Sequence, residues 1–242
     1  MKKYGCCQSI LKSVLFLVVS SGFCFILLPA VWGNKKESIA VSSDMEETTA
    51  IKETETFQQK TPDFLLYYQT DERWADYLCG GSDPMAKYGC GPTAMAMVVS
   101  NLTSDCITPP QMAEWASENG YYSPGYGSVH ALIPEAANAW GLSVETLSVR
   151  TPEALRTCLR NGKYAVLLMG PGHFTDGGHF IVAMGINPDG TVQIADPVSE
   201  LHSSEEWDAD LLLAELSSAT DSGAPVWIIS AKKQISLQTS KE

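Results

Sequence analysis

Tyr88-Gly89-Cys90-Gly91-Pro92-Thr93-Ala94-Met95-Ala96-Met97-Val98-Val99 sets a cysteine between two glycines, then a proline, then an unbroken apolar run. The two glycines permit a tight backbone turn around the thiol. Pro92 suits the first position of a helix, where its missing N–H costs nothing. The run to Val99 carries no polar stripe, so the helix is expected to be buried all round. A cysteine at the start of such a helix lies at the positive end of its macrodipole, which favours thiolate. This stretch leaves two readings open: a nucleophile, or a structural thiol packed in the core.

Working outward, 242 residues give room for one ordinary domain with appendages. The hydrophobic fraction of 45% supplies a sizeable core. A formal charge of −12, with no basic cluster beyond lysine pairs, argues against nucleic acid as a partner. Residues 1–33 contain the uncharged stretch Ser13 to Trp32, read as a membrane anchor or signal peptide. Its length, near the ~20 residues of a bilayer span, favours the uncleaved anchor. Either reading exports the rest, so the chain is expected to be extracytoplasmic and membrane-anchored, or secreted if the segment is cleaved. Residues 34–61 are rich in Glu, Thr, Ser and Lys and nearly empty of large apolar side chains, the composition of a disordered stalk. The folded domain is expected over 62–231, and 232–242 reads as a tail.

Cys79, Cys90, Cys106 and Cys158 lie in the domain. No Cys-x-x-Cys pair or other metal-ligand spacing appears, so neither metal nor cofactor is expected. If Cys90 stays free, one disulfide at most can form, Cys79 with Cys106 being conceivable; free thiols are the equal alternative.

Turn and cap signals divide the domain. Phe64 to Tyr68 is a strand candidate, and Cys79 to Gly89 a loop. Helices are expected from Cys90 to about Leu102, Gln111 to Asn119, Val129 to Trp140 with Ser128 as cap, and Pro152 to Arg160. Strands follow at Val144 to Val149, Tyr164 to Met169, Phe180 to Ile186, Thr191 to Ala195 and Pro225 to Ala231, with one short helix from Ser204 to Leu216. Helices first and strands later is an α+β order.

A cysteine nucleophile needs a base within reach, and the base needs a group to hold its tautomer. The chain has four histidines, His130, His173, His179 and His202. His179 is the best base, because it opens a strand and glycines leave space before it. If the hairpin loop after it keeps an even residue count, Ile186 faces Thr191, and Asp196 is a diagonal neighbour of His179 on one face. A three-residue loop would put Asp196 on the wrong face. Asp176 is the competing orienter. An acyl-transfer site also needs donors for an oxyanion; the Cys90 N–H is one and Gln69 is the best side-chain candidate.

These residues carry a resemblance. Tyr68-Gln69 with Asp71, Arg73 and Trp74, then Gly89-Cys90-Gly91-Pro92-Thr93, then Gly172-His173-Phe174-Thr175-Asp176-Gly177-Gly178-His179-Phe180-Ile181-Val182, then Asp196-Pro197, resemble a papain-like cysteine peptidase of the bacteriocin-leader (double-glycine) peptidase-like family, in its stand-alone exported form. The resemblance spans roughly Phe64 to Ser230. It implies an α+β papain-like fold, with a buried helix bearing the cysteine packed on an antiparallel sheet. It makes Cys90 the nucleophile, His179 the general base and acid, Asp196 the orienter and Gln69 the oxyanion donor. It gives His173 no role. Leader-cutting members are commonly fused to an ABC exporter; with neither transporter domain read here, a double-glycine leader is not the expected substrate.

The expected function is therefore a cysteine peptidase or amide hydrolase working through an acyl-enzyme on a peptide or protein substrate. A transglutaminase-like acyltransferase uses the same residues with an amine acceptor. A non-catalytic surface binding domain on the same fold is the third reading, suited to the anchor, the stalk and the tyrosine-rich loop Tyr121 to Tyr126. The sequence leaves the oligomeric state open.

Overall fold

A computed structural model describes residues 64–232. The expected anchor and stalk, and the tail beyond Lys232, lie outside the described residues. Among the described residues no helix is long and apolar enough to cross a membrane.

The domain opens with short elements that lead to the cysteine. Strands β1 (Leu78–Cys79) and β2 (Asp83–Pro84) pair antiparallel across a turn in which Gly80 and Gly81 have φ of 58° and 79°. That left-handed conformation favours glycine. Helix α1 (Met85–Tyr88) then runs into α2 (Cys90–Leu102), whose residues from Gly91 to Val99 are all buried. The apolar run thus forms a helix enclosed on every side, as its lack of a polar stripe requires.

Helix α3 (Pro109–Glu118) is held by a capping box between Thr108 and Gln111. Next come the small ladder of β3 (Tyr122–Ser123) with β4 (Gly127–Ser128), then α4 (Leu132–Ala139), β5 (Leu142–Thr146) and α5 (Pro152–Arg160). Thr151 caps α5 by accepting from the Ala154 N–H. Strands β6 (Tyr164–Met169), β7 (His179–Ile186) and β8 (Val192–Ala195) precede α6 (Glu200–Ser204), β9 (Glu206–Trp207), α7 (Ala209–Ala214) and β10 (Val226–Ala231).

Six strands form one antiparallel sheet in the order β5-β10-β6-β7-β8-β9. Its central strands are apolar on both faces because both are covered. Val166, Leu168, Phe180, Val182 and Ile229 join the cluster that contains α2. Ala165, Leu167, Ile181, Ala183 and Ile228 join the one built with Leu155, Leu159 and Leu212 from α5 and α7. The fold is α+β, a buried cysteine-bearing helix against an antiparallel sheet, and it is of the papain-like kind.

Three local expectations are corrected, and an alternative left open for the cysteines is decided. Phe64 to Tyr68 has no sheet partner; Asn101 near the end of α2 holds Leu65 at both backbone atoms instead. Ser128 does not cap a helix but lies in β4, and α4 starts at Leu132, placing Pro134 in the first turn where no N–H is needed. The single helix expected from Ser204 to Leu216 is three elements, because Ser199 and Asp208 each cap a separate short helix and Trp207 pairs with Val192 between them. Cys79, Cys90, Cys106 and Cys158 are all free thiols, with no bond between Cys79 and Cys106.

Candidate active site

The flanking glycines prove to be a matter of space rather than of turn. Gly89 sits at φ −89° and ψ 5°, and α2 begins at Cys90 itself, so Gly91 and Pro92 are already helical. A Cβ on Gly89 would lie 2.1 Å from Met85 Sδ, and one on Gly91 would lie 2.3 Å from Ser128 Oγ. Only glycine lets the helix start this deep between α1 and β4. The Gly91 N–H and the Phe180 N–H at the start of β7 both favour a thiolate at Cys90.

His179 and Asp196 reach this point through an irregular hairpin. The Asn187 N–H donates to Thr191 O at 2.9 Å, leaving Pro188, Asp189 and Gly190 as a three-residue loop. Alone that would turn Asp196 to the face opposite His179. A register shift between Ala183 and Gly185 supplies one extra residue on β7, so Ala183 pairs with Ile194 and Val182 with Ala195. The bulge restores the face that an even loop would have given. His179 Nε2 then donates to Asp196 Oδ1 at 2.7 Å, with His179 5% and Asp196 1% exposed. Asp176, the competing orienter, is exposed on the loop before His179.

With Nε2 committed to Asp196, Nδ1 is the imidazole atom left for the thiol, and each of the two groups shifts the titration of the other. Burial alone would push the Cys90 thiol up. The hydrogen bond and charge of His179, with the Phe180 and Gly91 N–H groups, override burial and hold it below the ordinary range. Burial likewise works against a charged His179, but Asp196 and Cys90 outweigh it and push His179 up to about 10. Burial would raise the Asp196 carboxyl; His179, the Val198 N–H and His202 bring it down. The three shifts favour the thiolate, imidazolium and carboxylate forms. Cys79 is the contrast: fully buried, it is pushed up to about 11 by desolvation and the nearby Asp83, which makes it a packed thiol.

Gln69 is 2% exposed and bridges the two halves of the site. Its backbone N–H donates to Pro197 O at 2.8 Å, beside Asp196, and its Nε2 donates to Ala86 O at 2.8 Å, on the helix just before Cys90. The second amide hydrogen remains for another acceptor. All four expected site residues are thus linked through their own bonds and neighbours. The sequence reading gives no role to His202, whose Nδ1 donates to Asp196 Oδ2 at 2.8 Å. The signal was the Ser199 cap, which turns the chain back toward Asp196. It also gave no partner to His173, whose backbone N–H and Nδ1 both meet Glu215.

The model of the Peptidase_C39 like family matches residues 61–232. No curated protein matches the chain. Similar solved structures include a putative C39-like peptidase from Bacillus anthracis, at 13% identity and TM-score 0.43, covering 61% of this chain and 91% of that one. Another is the peptidase domain of Streptococcus ComA, a bi-functional ABC transporter involved in a quorum sensing pathway; it is 15% identical with TM-score 0.43, covering 60% of this chain and 93% of that one. On the family match, the chain belongs to the Peptidase_C39 like family.

Proposed function

We propose that this peptidase C39-like domain hydrolyses a peptide or amide bond through an acyl-enzyme on Cys90. The observation that supports the reading best is the run of contacts from the Cys90 sulfur through His179 to Asp196, closed by the 2.7 Å hydrogen bond. The Cys90 thiolate attacks the substrate carbonyl carbon, and the oxyanion is held by the Cys90 N–H and the second hydrogen of Gln69 Nε2. His179 passes its Nδ1 proton to the departing amine as the C–N bond breaks. It then takes a proton from water, whose oxygen attacks the thioester and releases the acid and the thiolate. Asp196 keeps the imidazole in the tautomer with hydrogen on Nε2 and stabilises its charged form.

The test is turnover of a fluorogenic peptide library by the full chain in detergent, with Cys90→Ala and His179→Ala as controls. Both variants should fall by at least about 10³-fold with melting curves retained. Normal turnover by Cys90→Ala would refute the mechanism. Adding a primary amine separates hydrolysis from acyl transfer, because a transferase would make amide in place of acid. We further propose that the domain works outside the cytoplasm, held by the apolar stretch Ser13 to Trp32. Fractionation of cells with and without that stretch, followed by protease treatment of intact cells, tests the location.

A further inference from the structure

Asp196 is held by two histidines. Its Oδ1 accepts from His179 Nε2 at 2.7 Å and from the Val198 N–H at 2.9 Å. Its Oδ2 accepts from His202 Nδ1 at 2.8 Å. The carboxylate is 1% exposed, so an oxygen that loses its donor is left without water to replace it, and rotation of the carboxylate would be the means of finding another. Such rotation carries Oδ1 away from His179. His202 itself has little freedom. Its N–H donates to Ser199 Oγ at 3.1 Å, and its carbonyl accepts from Trp207 Nε1 at 2.9 Å. Its ring packs edge-on against Phe174 and Trp207, with centroids 5.4 and 5.5 Å away. Phe174 lies in the loop that leads into His179, so one aromatic pair braces His202 and the approach to the base together.

We infer that His202 is a positioning residue of the catalytic group: its Nδ1–H fixes the plane of the Asp196 carboxylate, and through it the aim of His179 at Cys90. The inference rests on the cysteine peptidase reading above. A hydrogen bond on the far oxygen of a carboxylate reaches the base only through that carboxylate, so the effect belongs in the ion pair and not in substrate binding. The other titratable groups around the cluster are Tyr68, which feels Asp196 and Glu200, Glu200 itself on α6, and His173 with Glu215 behind Trp207. His202 is distinguished from them by its direct bond to the carboxylate.

The experiment reads Cys90 directly with iodoacetamide, so it needs no substrate. Alkylation rates of the full chain in detergent are measured from pH 4 to 10 by mass spectrometry, for wild type, His179→Ala, His202→Leu and His202→Asn. Asparagine keeps a donor near the Nδ1 position and leucine removes it at similar volume. His202→Leu should slow alkylation at pH 6 by about tenfold, the effect of one lost hydrogen bond to a charged group, and move the rise in rate to higher pH. His202→Asn should restore most of the wild-type profile, which a merely structural role would not produce. A wild-type profile in His202→Leu, faster alkylation in it, or equal loss in both His202 variants would overturn the inference. His179→Ala separates the two levels. If it shifts the profile and His202→Leu does not, only the role of His202 fails; if it leaves the profile unchanged, the ion pair and the inference fall together.

Discussion

The surroundings of Cys90 favour its thiolate. Burial opposes its thiolate, and two backbone donors with a charged imidazole outweigh burial. One of those donors, the Gly91 N–H, is in place because α2 starts at the cysteine, and α2 starts there because its neighbours carry no Cβ. Gly91 makes the point testable. A methyl group there would lie 2.3 Å from Ser128 Oγ and 2.7 Å from Ser128 Cβ. Gly91→Ala is therefore expected to lower stability by about 1–3 kcal/mol, the ordinary cost of overpacking. Because Gly91 is not at positive φ, the cost is one of space. Removing the clashing side chain in Gly91→Ala/Ser128→Gly should then recover most of it, measured by urea denaturation. A double variant no more stable than Gly91→Ala would show that the backbone, and not the contact, sets the requirement.

At the scale of elements, α2 is the part organised around most directly, and its far end matters as well as its first turn. Asn101 accepts from the Leu65 N–H at 2.8 Å and donates to the carbonyls of Leu65 and Met97 at 3.0 and 2.8 Å. It is the clasp that lays the segment bearing Gln69 along the domain. Asn101→Ala should cost about 1–3 kcal/mol through the backbone groups it leaves unpaired. It should also increase proteolytic nicking around Leu65, followed by mass spectrometry; wild-type stability and nicking would show that the segment is held by other means. Much of the element plan was legible. The apolar run of α2, the capped α5 and the continuous apolar strand β6 were readable from period, caps and breakers. The extended segment at Phe64 was not, because a hydrophobic run looks like a strand whether a sheet or an asparagine satisfies its backbone. Nor was the split between α6 and α7, since the cap at Asp208 sits inside a pattern that also fits one helix. In the site, parity identified Asp196, but a three-residue loop and a bulge compensate each other there, and local sequence marks neither one strongly. His202 was hidden for a similar reason: its partner lies across a turn whose path depends on the Ser199 cap.

For the whole molecule, the same three groups tie stability to pH. His179 is raised in the folded state, to about 10; a raised histidine stabilises fully below its unfolded value of about 6.5, and this is lost as pH rises through the folded value. Cys90 is lowered; a lowered thiol stabilises fully above its unfolded value of about 8.5, and this is lost as pH falls through the folded value. Asp196 is lowered too, so its share is present above about 3.9 and disappears below the folded value. With the proposed ion pair, between about 6.5 and 8.5 the folded protein holds the pair's proton on the imidazole, and the unfolded chain holds it on the thiol. Neither state then binds more protons, and the pair's contribution is at its plateau. Below that window the unfolded histidine takes up a proton that the folded ion pair does not need, and stability falls with pH. Above it the unfolded thiol gives up a proton while folded His179 keeps its own until about pH 10, and stability falls again. The advantage of wild type over Cys90→Ala/His179→Ala should therefore be greatest near pH 7.5 and shrink toward both pH 4 and pH 10.5. Urea denaturation at those three values measures it. An advantage that stays constant across the range would mean that Cys90 and His179 do not form an ion pair in the folded protein.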